Sequence, residues 1–215
     1  MGRVGAVITA AGAGTRFGAR KQFIELAPAE RLVDRTVATA RSVADWVGLL
    51  LPGDVTWDGD PVDAVGSGGG SRYDTVEHGL SLLPPDIEIV LVHSASHPLA
   101  TEGLARRLID AVRAGAEGAV PFLPAVDVIK RCADDGVLTT VGREHLGSAQ
   151  CPMAFSREVL DRAFAETETG TEESAVVEAA GGRVVAVEGE VGNIHVVDQP
   201  SLAVARHLAD LVYPG

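Results

Sequence analysis

The chain has little of several things that would otherwise define it. It carries two cysteines, Cys132 and Cys151, and neither belongs to a CxxC pair. A disulfide framework and a zinc site are therefore not expected. Aromatic residues make up 4% of the 215 positions, so Ala, Val and Leu must fill the core. Cations are in the minority: 18 Lys and Arg face 30 Asp and Glu, for a formal net charge of -12. That balance argues against a nucleic-acid partner or an anionic membrane surface. No run approaches the ~18 apolar residues that a membrane span requires. The N-terminus shows no basic segment, apolar stretch and cleavage site in succession, and the expectation is a cytoplasmic protein. The length suffices for one sizeable core, and the expectation is a single domain over 1–215.

Against this acidic background the first loop stands out. A short apolar run at 4–8 predicts a buried strand. It leads into Ala10-Ala11-Gly12-Ala13-Gly14 and then into Arg16, Arg20 and Lys21. Glycines let a backbone approach a ligand closely and present its N–H groups. A guanidinium fork and a compact ammonium are the usual pair for holding phosphates. The loop has neither the Gly-Lys-Ser/Thr of a Walker loop nor GxGxxG spacing, since Gly12, Gly14 and Gly18 give GxGxxxG. By itself such a loop is equally a tight strand–helix turn. With Arg16 and Lys21 beside it, a polyphosphate site is the better reading.

Strand and helix signals alternate along the chain. Helices are expected at 32–44, 71–83, 102–115, 157–166, 172–180 and 201–211. Strands are expected at 46–51, 87–92, 118–123, 184–187 and 194–196. The segments 126–132 and 137–141 flank Asp134-Asp135-Gly136, a strong hairpin turn. The rhythm predicts an α/β fold with a mostly parallel sheet, interrupted by a β-arm at about 126–150. In such sheets ligands bind beyond the carboxyl ends of the strands. The 10–21 loop, the glycine-rich turn at 66–70 and the 93–98 loop should converge there.

The landmarks extend over nearly the whole chain. Gly69-Gly70-Ser71-Arg72 is followed by Thr75-Val76, and His93-Ser94-Ala95-Ser96-His97-Pro98 closes a strand. Asp127-Val128-Ile129-Lys130 opens the arm, and Arg143 precedes Cys151-Pro152-Met153-Ala154-Phe155. Thr171-Glu172-Glu173-Ser174-Ala175 and Asn193-Ile194-His195 follow. In this order the set resembles the IspD-type 2-C-methyl-D-erythritol 4-phosphate cytidylyltransferases, whose motifs read AAGxGxRxxxxxxKQ, GGxxRxxSV, HDAARP, DTxK, TPQxF, TDEAS and NIK.

The resemblance implies a three-layer α/β nucleotide-binding fold, with a mainly parallel sheet and a projecting arm. It implies a homodimer that transfers CMP from CTP to a polyol phosphate in isoprenoid precursor synthesis, with Mg²⁺ or another divalent cation as cofactor. Its catalytic cations would be Arg16 and Lys21. Its nucleotide contacts would be Ala10, Ala11, Gly12, Gly14, Gly69, Gly70 and Thr75, all of the family's type. The acceptor side would be Ser94, His97, Arg143, Glu172 and His195, with Val128 and Lys130 on the arm. The metal ligands are not specified.

Departures concentrate on the acceptor side. Asp has become Ser94, Arg has become His97, Thr has become Val128, Asp has become Glu172 and Lys has become His195. Only Arg143 keeps the family's identity there. Two fixed cations are replaced by imidazoles that are mostly neutral at pH 7. Ligand contact and packing both stay open for Ser94, His97 and His195. If the two imidazoles meet a phosphate, binding should strengthen at acid pH as they protonate. Two alternatives follow: a nucleotide-binding homologue with weak or no transfer, or a transferase with another acceptor. His93 reads as a core histidine and Cys151 as packing. Arg72 reads either as a ligand contact or as an ion pair. Glu172 and Glu173 read as a helix start capped by Thr171.

Overall fold

A computed structural model describes residues 2–15 and 17–212. The elements run β1 (Arg3–Thr9), β2 (Glu25–Ala27), β3 (Glu30–Arg31), α1 (Leu32–Arg41), β4 (Trp46–Leu51), β5 (Ala64–Ser67), α2 (Arg72–Leu82), β6 (Ile87–Ser94), α3 (Glu102–Arg113), β7 (Gly118–Pro124), β8 (Ile129–Cys132), β9 (Leu138–Val141), β10 (Gly147–Ala149), β11 (Met153–Ser156), α4 (Arg157–Glu166), α5 (Glu173–Ala179), β12 (Val184–Glu188) and α6 (Gln199–Val212).

The near-continuous apolar runs of β1, β4 and β6 are buried on both faces, as central parallel strands must be. β1 lies between β4 and β6 and is parallel to both. β5 extends the sheet beyond β4, also in parallel. On the other side β11 inserts antiparallel between β6 and β7, and β12 pairs parallel with β7. β10 continues along β7 ahead of β11.

Successive strand residues point to opposite faces, and two cores result. On one face Ile8, Leu49 and Leu91 meet Val33 and Val37 of α1 and Leu104 and Leu108 of α3. On the other, Val7, Leu50 and Val92 meet Val76 and Leu80 of α2, Leu160 of α4 and Val177 of α5. Each fully buried Leu or Val contributes about 1.5–3 kcal/mol. A third cluster seats Leu202 and Ala205 of α6 on Leu26, Leu32, Leu99 and Val196. The sheet between two helical layers matches the α/β expectation.

Helix starts are set by side chains. Ser71 accepts from the Asp74 amide, and Asp74 accepts in return from the Ser71 amide, fixing where α2 begins. Thr101 caps α3 in the same sense through the Leu104 amide. At α5 the expectation needs correcting. The cap is Glu172, not Thr171: its carboxylate accepts from the Ser174 and Ala175 amides.

A second correction concerns residues 194–196, which form no strand. The Ile194 amide turns back to the Gly192 carbonyl, and the Val196 amide donates to Ser96. Lys21 takes the Val196 carbonyl, and Asn193 reaches the Cys151 carbonyl. The backbone groups a ladder would need are spent on loops. The sequence reading also gave no strand at β11, the short piece that separates β6 from β7.

β8 and β9 pair antiparallel, with Ile129 opposite Val141. Gly136 sits at φ +84° in the connecting turn, where a side chain would be strained. The hairpin stands off the sheet with its apolar residues exposed: Val128 is 67% exposed, and Val126, Val137 and Leu138 are exposed as well. Among the described residues no helix is long and apolar enough to cross a membrane.

Candidate active site

The loops that leave β1, β5 and β6 at their carboxyl ends enclose a cavity of about 450 Å³. β1 supplies its floor through Ala10, Ala11, Gly12 and Gly14, β6 supplies Ser94 and Ser96, and the turn after β5 supplies Gly69, Gly70 and Thr75. Lys21 and His195 close the remaining sides.

The shape of the first loop is forced from within. Buried Gln22 donates from one amide nitrogen to the carbonyls of Ala10 and Gly12, at 2.8 and 3.0 Å. Gly14 lies at φ +66°, and a Cβ there would come within 1.8 Å of the Ala19 carbonyl oxygen. A Cβ on Gly12, by contrast, would meet nothing within 4 Å. The absent side chain at Gly12 thus leaves open space over the loop, the kind of room a phosphate needs to approach backbone N–H groups.

The second loop is held by Thr75. Its hydroxyl accepts from the Gly69 amide at 3.0 Å and donates to the Ser71 carbonyl at 2.8 Å. Its proton is therefore committed, and what it can still offer a ligand is an acceptor lone pair. Gly68 touches Ala11 so closely that a Cβ would lie 2.1 Å from the Ala11 Cβ. The two loops consequently share one wall.

The cations separate into different roles. Lys21 faces the cavity and donates to the Val196 carbonyl at 2.6 Å. Arg20 points away and pairs with exposed Asp54 at 2.9 Å. Arg72 lines the cavity and pairs with Glu173 at 2.8 Å. Burial works against the Arg72 charge, but the Glu173 carboxylate and the Cys151 sulfur outweigh it and hold the guanidinium above its usual range. The ion-pair reading of Arg72 is met, and the same side chain lines the cavity. Burial pushes the Cys151 thiol up, against the pull of Arg72, so it stays protonated and packed. Arg16 lies outside the described residues.

On the acceptor side, His93 is fully buried and donates from Nε2 to the His97 carbonyl at 3.0 Å. Burial brings its pKa down to about 4. His97 is 9% exposed and does not line the cavity. Burial, then the neighbouring His195, His93, Arg72 and Lys21, lower its pKa to about 2. Burial and the neighbouring cationic groups thus disfavour the His97 imidazolium, against the acid-side gain expected of that ring. Its ring stacks on that of His195, with centroids 4.5 Å apart and planes 17° apart. Ser94 is buried and accepts from the Ser96 amide.

Two acceptor-side candidates stand elsewhere. Glu172 is occupied as the α5 cap and also takes the Ser174 hydroxyl. Arg143 is exposed on the arm, where it donates to the Val126 carbonyl. Lys130, also on the arm, donates to Thr140 at 2.6 Å. The sequence reading placed Gln22 and Ser96 within motifs but gave them no role, and it did not single out Val197, which also lines the wall.

Among the described residues no carboxylate lines the cavity. Among the described residues no cluster of three His, Cys, Asp or Glu side chains could hold a metal ion. The described donors around the cavity thus offer a divalent cation no ready-made carboxylate site.

The model of the family described as 2-C-methyl-D-erythritol 4-phosphate cytidylyltransferase (IspD) matches residues 4–210. A 2-C-methyl-D-erythritol 4-phosphate cytidylyltransferase from Acidobacterium capsulatum is 36% identical over 94% of this chain and 95% of its own length. A bifunctional enzyme IspD/IspF from Anaeromyxobacter dehalogenans is 37% identical over 97% of this chain, which spans only 57% of that relative's length. The crystal structure of a 2-C-methyl-D-erythritol 4-phosphate cytidylyltransferase from Thermus thermophilus superimposes with a TM-score of 0.84 at 27% identity, over 96% of this chain and 98% of that one.

Proposed function

The chain belongs to the 2-C-methyl-D-erythritol 4-phosphate cytidylyltransferase family, and on that premise we propose that it moves CMP from CTP to 2-C-methyl-D-erythritol 4-phosphate with release of pyrophosphate. The observation that carries this reading is the single cavity into which the 10–14 loop, Lys21 and the Gly69, Gly70 and Thr75 wall all face. The loop backbone and Lys21 would take the triphosphate, with Arg16 beside them. The Gly69–Gly70 backbone and the Thr75 oxygen would take the cytosine.

A phosphate oxygen of the acceptor attacks the α-phosphorus. The bond from that phosphorus to the bridging oxygen breaks, and pyrophosphate leaves with the electron pair. The protein contributes orientation and neutralisation of charge, chiefly through Lys21 and backbone N–H groups. Mg²⁺, when bound, would neutralise phosphate charge and would be carried by the phosphates, since among the described residues no carboxylate lines the cavity.

A homodimer fits the exposed apolar arm, which would bring Val128, Lys130 and Arg143 to a partner's acceptor side. The reaction is assigned to the cytoplasm. One observation favours a second reading, of weak transfer or a different acceptor: neutral His97 stands where the family carries a permanent cation. Pyrophosphate release from CTP, tested on a panel of polyol and sugar phosphates, separates the readings. Release only with 2-C-methyl-D-erythritol 4-phosphate supports the first, and release only with another acceptor supports the second.

A further inference from the structure

We propose that His195 is the acceptor-facing group and that His97, stacked on it, is a positioning residue that fixes the plane of the His195 ring. The inference rests on the transferase reading above and assigns unlike roles to two histidines that the sequence alone treats alike.

His195 lines the cavity and His97 does not. The near-parallel stack lays the His97 ring against one face of the His195 ring. His97 is also poorly suited to hold an anion: it is neutral, and its Nδ1 is buried with no hydrogen-bond partner. A buried ring nitrogen left unpaired costs free energy, so the ring is retained for something other than that atom. What it supplies is a flat surface.

That surface is itself rigid. The His97 amide donates to the Ser94 carbonyl at 2.9 Å, and the His97 carbonyl accepts from His93 Nε2. The backbone on both sides of His195 is anchored as well. Gln150 donates to the Asn193 carbonyl at 2.8 Å, and Asn193 donates to the Cys151 carbonyl at 2.7 Å. The Val196 amide donates to the Ser96 carbonyl at 2.8 Å, and Lys21 holds the Val196 carbonyl. With the chain held on either side, the stack adds a restraint on the plane of the His195 ring. A planar pair of this kind needs the ring, not its nitrogens.

The test compares His97→Phe, His97→Ala, His195→Ala and the double variant H97A/H195A in steady-state kinetics. His97→Ala should raise the acceptor KM by about 2- to 10-fold, the fold-change equivalent of a lost aromatic stack. The KM for CTP should not move. His97→Phe should keep the acceptor KM within about twofold, because it restores the flat surface. In the H195A background, His97→Ala should add nothing further. The inference is overturned if His97→Phe is as damaging as His97→Ala, or if the two alanine effects are additive.

If the wild type does not turn over 2-C-methyl-D-erythritol 4-phosphate, the transferase reading falls separately. The pair is then read without turnover, by NMR of the imidazole signals titrated with inorganic phosphate. His195 signals should respond, with affinity weakened in His97→Ala and restored in His97→Phe. Wild-type His195 signals that ignore phosphate overturn the inference.

Discussion

The Arg72 guanidinium lies 2.8 Å from the Glu173 carboxylate, and that ion pair ties the start of α2 to the first turn of α5. Glu173 is 1% exposed, so its charge depends on Arg72 for compensation. Removing one partner of such a pair leaves the other charge buried alone. Arg72→Ala should therefore destabilise the fold by about 3–5 kcal/mol. The double variant R72M/E173L, which removes both charges, should recover much of that loss. Urea midpoints of wild type and both variants measure it.

Stability should fall on acidification through the two buried histidines. The unfolded chain protonates histidine near pH ~6.5, while the folded chain keeps His93 neutral down to about 4 and His97 down to about 2. Below ~6.5 the unfolded state binds more protons, at about 1.4 kcal/mol per pH unit for each ring. The loss for His93 is complete near pH 4, and that for His97 continues below it. Urea titrations between pH 7 and pH 4.5 should show this slope, and His97→Phe should remove its own share.

Lys21 faces the cavity, whereas Arg106 is an exposed helix residue paired with Glu102. Lys21→Ala should cut kcat/KM by about 10²- to 10³-fold, the scale for one lost group at the developing charge. Arg106→Ala should leave turnover within twofold. Parallel pyrophosphate-release assays of the two variants check the contrast.

Thr75 holds the Gly69 amide and the Ser71 carbonyl at once. Thr75→Val keeps the shape but strands the Gly69 amide, at about 1–3 kcal/mol, while the Ser71 carbonyl keeps the Thr75 backbone amide as donor. CTP should bind at least tenfold more weakly, with a smaller effect on the acceptor KM. Calorimetry of CTP binding to the variant reads this directly.

Much of the fold could be read from the chain because its central strands are unbroken apolar runs and its helices begin at side-chain caps. The hairpin at Asp134-Asp135-Gly136 was legible for the same reason, since a positive φ calls for glycine. What escaped was decided by distant partners. Residues 194–196 have strand composition, yet Lys21, Ser96 and Cys151 take the backbone or hold its neighbours. The role of His97 was equally illegible, because a motif position states where a residue sits and not whether another ring stacks against it. Glu173 gave no sign of its pairing, since Arg72 lies 101 residues away in the chain.

The central claim is that this cavity transfers CMP, and the most direct measurement mixes the protein with CTP, Mg²⁺ and 2-C-methyl-D-erythritol 4-phosphate. Product is followed by phosphorus NMR. The account predicts two new coupled diphosphate resonances of a cytidine diphosphate ester, appearing together with an equal amount of pyrophosphate. CTP that binds but stays intact with this acceptor through many enzyme equivalents of time would contradict it.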